Sequence, residues 1–151
     1  MTMKLTRGIR RSLTATLLAT VTAGTLALTV TSSQAHGYDC AGGSYQEVCA
    51  YLVQDQEWLV RASAKAEHLN RYAKYKLTVR LEQCLNDGSG CRTVASTSPK
   101  YASGVSRFWN TTPSFNIASD GSACYKSKAN LYRKGSDGVY HWLRGTTASW
   151  C

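Results

Sequence analysis

The chain has 151 residues and a formal charge of +9, from eighteen Lys and Arg against nine acids, with six cysteines. That length suits one domain, and the cations are scattered rather than run together, which argues for a solvated face and against a nucleic-acid partner. An even number of cysteines in so short a chain points away from the reducing cytosol, towards a disulfide framework in an exported protein.

Residues 1–35 read as a signal peptide. Lys4, Arg7, Arg10 and Arg11 supply the basic start, "LTATLLATVTAGTLALTV" the apolar stretch, and Ser33-Gln34-Ala35 a small-residue cleavage site. A Thr-rich stretch followed at once by such a site is a poor membrane anchor, so the mature form is expected to be secreted and free of the membrane. Arg10-Arg11 leaves a twin-arginine route open beside the ordinary one. Cleavage after Ala35 would start the chain at His36; four of the eighteen cations and none of the acids precede it, so the balance falls to +5.

Residues 36–57 form the next unit, an N-terminal arm. "HGYDCAGG" is loop-like, and in "SYQEVCAYLVQ" Ser44 stands three residues before Glu47, a capping-box spacing. Tyr45, Val48, Cys49, Leu52 and Val53 then share one helical face, which predicts a short helix over 45–54.

From residue 58 to 151 the period becomes two, as in a half-buried sheet. Trp58, Val60, Ala62, Ala64 and Ala66 alternate with polar residues, and so do Tyr75, Leu77, Val79 and Leu81. In "CLNDGSGC" an Asp-Gly pair suits a type I′ turn at Asp87-Gly88, which sets opposite each other residues whose numbers sum to 175 and so brings Cys84 to Cys91. The partner strand should end before Pro99, which cannot donate to a ladder. Shorter strands fit "YASGVSRFW" and "SFNIAS". A second turn at Asp137-Gly138 pairs residues summing to 275: Cys124 with Cys151, Tyr125 with Trp150, and Arg133 with Trp142 as a cation-π contact. Cys40 and Cys49 are left to each other, although six cysteines allow other connectivities and one bulge would shift either register. The expected fold is all-β, a disulfide-stapled antiparallel β-sandwich of immunoglobulin-like type with about seven strands.

Catalytic equipment is sparse. The histidines are His36, His68 and His141, the serines and threonines lie in ordinary strand and turn contexts, and no nucleophile-elbow, phosphate loop or glycosidase carboxylate motif stands out, so the chain reads as no enzyme and as carrying no cofactor. One alternative is copper: a terminal His36 could chelate through its imidazole and amine with His141 as second imidazole, a start that resembles copper-dependent polysaccharide monooxygenases and small periplasmic copper carriers. Another is an exported inhibitor of proteases or other hydrolases, with the "LNDGSG" tip as a rigid but small and polar protrusion. Aromatics offer a third handle. Trp142 and Trp150 read first as core residues, Tyr132 is left open between core and surface, and Tyr38, Tyr45, Tyr132 and Trp142 are the binding candidates.

The layout of Thr/Ala-rich export signal, cysteine-bearing arm from His36 to Glu57 and β-sandwich resembles the small adaptor subunit of the umbrella toxin particles secreted by streptomycetes. That resemblance implies larger secreted partners, with the arm docking on a lectin-bearing subunit and the sandwich held by a toxin stalk, in particles that arrest competing bacteria.

Overall fold

A computed structural model describes residues 34–118 and 122–151; the leader expected at 1–35 lies, but for its last two residues, outside the described residues. Ten strands are found among the described residues: β1 (Gln34–Ala41), β2 (Glu47–Gln56), β3 (Leu59–Glu67), β4 (Lys74–Leu85), β5 (Arg92–Ser96), β6 (Lys100–Ser103), β7 (Phe108–Thr111), β8 (Phe115–Asn116), β9 (Ala123–Lys134) and β10 (Tyr140–Trp150). They form two antiparallel sheets. The first runs β1-β2-β3-β7 with β8 also on β3, and the second runs β10-β9-β4-β5 with β6 also on β4.

Alternation decides which side of each sheet is dry. Val48, Ala50 and Leu52 of β2 and Val60, Ala62, Ala64 and Ala66 of β3 are buried, and they meet Tyr75, Leu77, Leu81 and Leu131 of the second sheet in one core. The small alanines of β3 leave room for the larger side chains opposite, so the two layers interdigitate. Asn110 of β7 bridges the layers, its Nδ2 donating to the carbonyl oxygens of Leu77 (3.0 Å) and Ser98 (3.2 Å). One flank is drawn together where β1 meets β10: a Cβ on Gly37 would come within 2.7 Å of the Ser149 carbonyl oxygen, so only glycine permits this approach.

The helix expected over 45–54 is instead β2, and residues 36–57 are two strands of the first sheet rather than a helical appendage. The reason lies in the same residues. Val48, Ala50 and Leu52 also obey period two, and β2 finds ladder partners on both sides, with Cys40 opposite Cys49 and Ala50 opposite Ala64. Long-range pairing outweighs a local capping signal.

All three disulfides join the expected cysteines: Cys40–Cys49, Cys84–Cys91 and Cys124–Cys151. The turns differ from expectation. In both hairpins the glycine after aspartate has positive φ but the aspartate does not, and Gly88 donates to the Leu85 carbonyl (2.8 Å) as Gly138 does to Gly135 (3.1 Å). These are type I turns with a following bulge rather than type I′ turns. The second turn therefore starts one residue short, pairing Arg133 with His141 and Tyr132 with Trp142, and a bulge at Leu143 restores the expected register by Leu131–Arg144. The expected Arg133–Trp142 pair is thus absent, whereas Tyr125 does face Trp150, ring centroids 6.1 Å apart. Trp150 packs against the core, but Trp142 is 62 % exposed and lies outside it.

Candidate functional site

The outer face of the second sheet collects side chains that lie far apart in the chain. Strands β4 and β9 pair antiparallel from Tyr75–Arg133 to Leu85–Ala123. Because apolar residues of both point inward, the alternate positions point out: Lys74, Lys76, Arg80 and Glu82 from β4, and Lys126, Lys128, Tyr132 and Lys134 from β9. One row crosses four strands, Tyr101 of β6 opposite Lys76, Lys76 opposite Tyr132, and Tyr132 opposite Trp142.

Cations and rings interleave in this row. Lys76 Nζ lies 3.9 Å from the centroid of the Tyr132 ring and 5.6 Å from that of Tyr140, and the rings of Tyr101 and Tyr140 approach to 5.3 Å. Lys134 Nζ stands 5.9 Å from the Tyr140 centroid. Trp142 is held from the side: its Nε1 donates to Asn130 Oδ1 at 3.4 Å, and a Cβ on Gly145 would collide with that same amide. A shallow cleft of about 180 Å³ between Lys74, Tyr101, Ser103 and Tyr140 marks one side of this end of the sheet. A second, of about 480 Å³, is lined by Tyr72, Lys74, Arg133 and Lys134.

Farther along the face, Arg80 and Lys128 are directly opposite each other. Like charges so placed repel. Glu82 lies beside them, with Oε1 2.8 Å from Arg80 Nε and Oε2 2.9 Å from Lys128 Nζ, and its side chain is only 6 % exposed.

The outer face of the first sheet carries a different strip. Tyr38 of β1 faces Tyr51 of β2, with centroids 6.3 Å apart, and Tyr51 reaches Trp109 of β7 at 5.6 Å. Lys65 Nζ lies 5.1 Å from the Trp109 centroid and 2.5 Å from Glu67 Oε2. Burial pushes the Tyr51 hydroxyl pKa up, Lys65 opposing and Glu67, Glu47 and Tyr38 reinforcing it. Tyr38 is 73 % exposed and Trp109 44 %, so the strip is open at both ends.

Of the four aromatic candidates, Tyr132 and Trp142 thus share the second sheet's outer face and Tyr38 lies on the first sheet's. Tyr45 is exposed in the β1–β2 connection, outside both rows. The two histidines considered for copper are not brought together. His36 stacks on Trp150, centroids 4.5 Å apart, whereas His141 is nine positions back along β10 with its Nε2 2.7 Å from Asp137 Oδ2. Nine residues of strand span about 30 Å. Sequence reasoning did not single out Lys76, Tyr101, Tyr140, Tyr51 and Trp109 of the two aromatic rows, nor the cations around them; their alternation was legible, their partners across the sheet were not.

No protein-family model matches the chain, and no curated protein matches it. Stacking, cation-π contact and charge are what these two faces offer to a ligand.

Proposed function

We propose that the chain is a secreted, non-catalytic binding protein that acts as an adaptor between larger extracellular partners. The observation that carries this reading is the pair of exposed aromatic rows on opposite outer faces of one core, Tyr38–Tyr51–Trp109 on one side and Tyr101–Lys76–Tyr132–Trp142 on the other. Aromatic side chains concentrate binding energy, and two faces separated by a rigid core can hold two partners at once. Three disulfides in a small domain are consistent with an extracellular setting. The connectivity, with β2, β3 and β7 in one sheet and β10, β9, β4 and β5 in the other, supports an immunoglobulin-like arrangement to which β1 adds a strand. The umbrella-particle resemblance suggests a lectin-bearing subunit and a toxin stalk as the partners.

Strands β1 and β2 carry core residues, so deleting residues 36–57 would remove part of the fold rather than an appendage. Point variants on each face are the sound test. Tagged protein recovered from the supernatant of its secreting host should carry two stoichiometric partners, one lost on Tyr38→Ala with Trp109→Ala and the other on Tyr132→Ala with Trp142→Ala. Recovery of a lone monomer, or of partners indifferent to both pairs of changes, would reject the adaptor role.

A further inference from the structure

The geometry points to the outer face of the second sheet as a binding site for an anionic polysaccharide. This names the ligand class of one of the two faces and so rests on the binding role proposed above. Charge comes first. The outward positions of β4 and β9 hold Lys74, Lys76, Arg80, Lys126, Lys128 and Lys134, against the single acid Glu82, which is buried and engaged by Arg80 and Lys128. Arg80 and Lys128 stand directly opposite each other, an arrangement that costs stability and that Glu82 only partly relieves. An anion laid across the face would neutralise them, and the rings of Tyr132 and Tyr140 beside Lys76 would shield part of the contact from water.

Rings supply the second part of the fit. Tyr101, Tyr140 and the exposed Trp142 stand among the lysines and offer apolar surface to the C–H faces of sugar rings while lysine ammonium groups reach carboxylate or sulfate. A peptide fits less well. Peptides gain affinity by pairing their backbone with a sheet edge or by settling in a groove, and the middle of a sheet face presents side chains only. A polysaccharide has no amide backbone to satisfy and can keep its remaining hydroxyls in water. Single-stranded nucleic acid also uses stacking and phosphate contacts, but it favours a continuous groove that tracks its backbone, and among the described residues this face offers only shallow clefts at one end.

The test uses the full mature chain and calorimetric titration at low ionic strength with polygalacturonate, heparin, dextran, poly-glutamate and oligothymidylate. Binding is expected to polygalacturonate and heparin and not to dextran, and either charged polysaccharide supports the site, the stronger one telling carboxylate from sulfate preference. Lys76→Glu with Lys134→Glu should weaken binding by about tenfold or more. Trp142→Ala should weaken it by about threefold or more while leaving the melting temperature unchanged, because that side chain is largely exposed. Tyr38→Ala with Trp109→Ala, on the opposite face, should leave it unaltered. Absence of binding to both charged polysaccharides, tighter binding to poly-glutamate or oligothymidylate, or indifference to the charge reversals would overturn the assignment. The adaptor role fails separately: its partners are scored by recovery from supernatant, so a retained two-partner complex with no polysaccharide binding rejects the ligand class alone.

Discussion

Glu82→Gln probes both the stability and the binding surface of the second sheet. The carboxylate is buried and bridges two cations whose side chains are 48 % exposed (Arg80) and 36 % exposed (Lys128), which stand opposite each other on β4 and β9. Each ion pair to a part-exposed partner contributes about 0.5–1 kcal/mol after screening by solvent. Leaving Arg80 and Lys128 face to face adds about 0.5–1 kcal/mol of repulsion. A neutral amide recovers part of this, since it pays a smaller burial penalty and still accepts one hydrogen bond. The net loss is about 1–2 kcal/mol, which for a domain of this size lowers the melting temperature by about 4–8 °C. Calorimetric melting at low ionic strength measures it. A cycle with Lys128→Gln isolates the cause: that change should destabilise the wild-type background and stabilise the Glu82→Gln background, because in the latter it removes the repulsion. Equal effects in both backgrounds, or a Glu82→Gln variant as stable as the wild type, would refute the bridging role. The same substitution adds one unit of positive charge to the face, so affinity for polygalacturonate should rise as stability falls.

Tyr75→Phe tests a buried polar junction. The fully buried Tyr75 hydroxyl accepts from Gln46 Nε2 and from the backbone N–H of Asn70, both at 3.1 Å, and its removal strands the Gln46 side-chain amide at a residue held at a positive φ of 52°. The cost should be about 1–3 kcal/mol, read as a lower urea midpoint at constant slope; an unchanged midpoint would reject it. At acid pH the two hairpin turns should loosen. Asp87 is held below its ordinary pKa by its bonds to Ser89, and Asp137 by the Val139 amide and then His141. Stability from these depressed carboxylates is complete above about pH 3.9 and is lost as pH falls through their lower folded values. Tyr51 acts with the opposite sign: its pKa is raised, so its contribution is full below about pH 10 and is lost as pH climbs through the folded value. Amide exchange at Ser89 and Val139 on acidification reads the first effect; exchange that stays flat across this range would rule it out.

Local chemistry in the sequence was enough to pair four of the six cysteines, and elimination left Cys40 to Cys49. An Asp-Gly turn fixes a hairpin's centre to within a residue, and the two departures from ideal geometry, a shortened turn and a compensating bulge, cancel before Leu131–Arg144, so Cys124 and Cys151 still meet. Trp142 falls between turn and bulge, where the register is displaced, and a residue assigned there by mirror arithmetic is given the wrong partner. β2 failed differently. Its apolar positions satisfy helical and strand periods together, and only the β1 and β3 ladders on either side break the tie.

The cationic face required information no local period carries. β4 and β9 are separated by four other strands, and nothing in either segment states that Lys76 will lie opposite Tyr132 or Arg80 opposite Lys128. Charges that look dispersed along the chain become a single field once two amphipathic strands pair, because alternation sends every wet position of both to the same side. Burial of the dry side fixes that pairing: a slip of one residue would turn Leu77, Val79 and Leu131 out to water and the lysines into the core. The core therefore enforces the assembly of the charged face. Its repulsive cost is borne by the same burial, with Glu82 as the local counter-ion, and only a ligand of opposite charge would turn that cost into affinity.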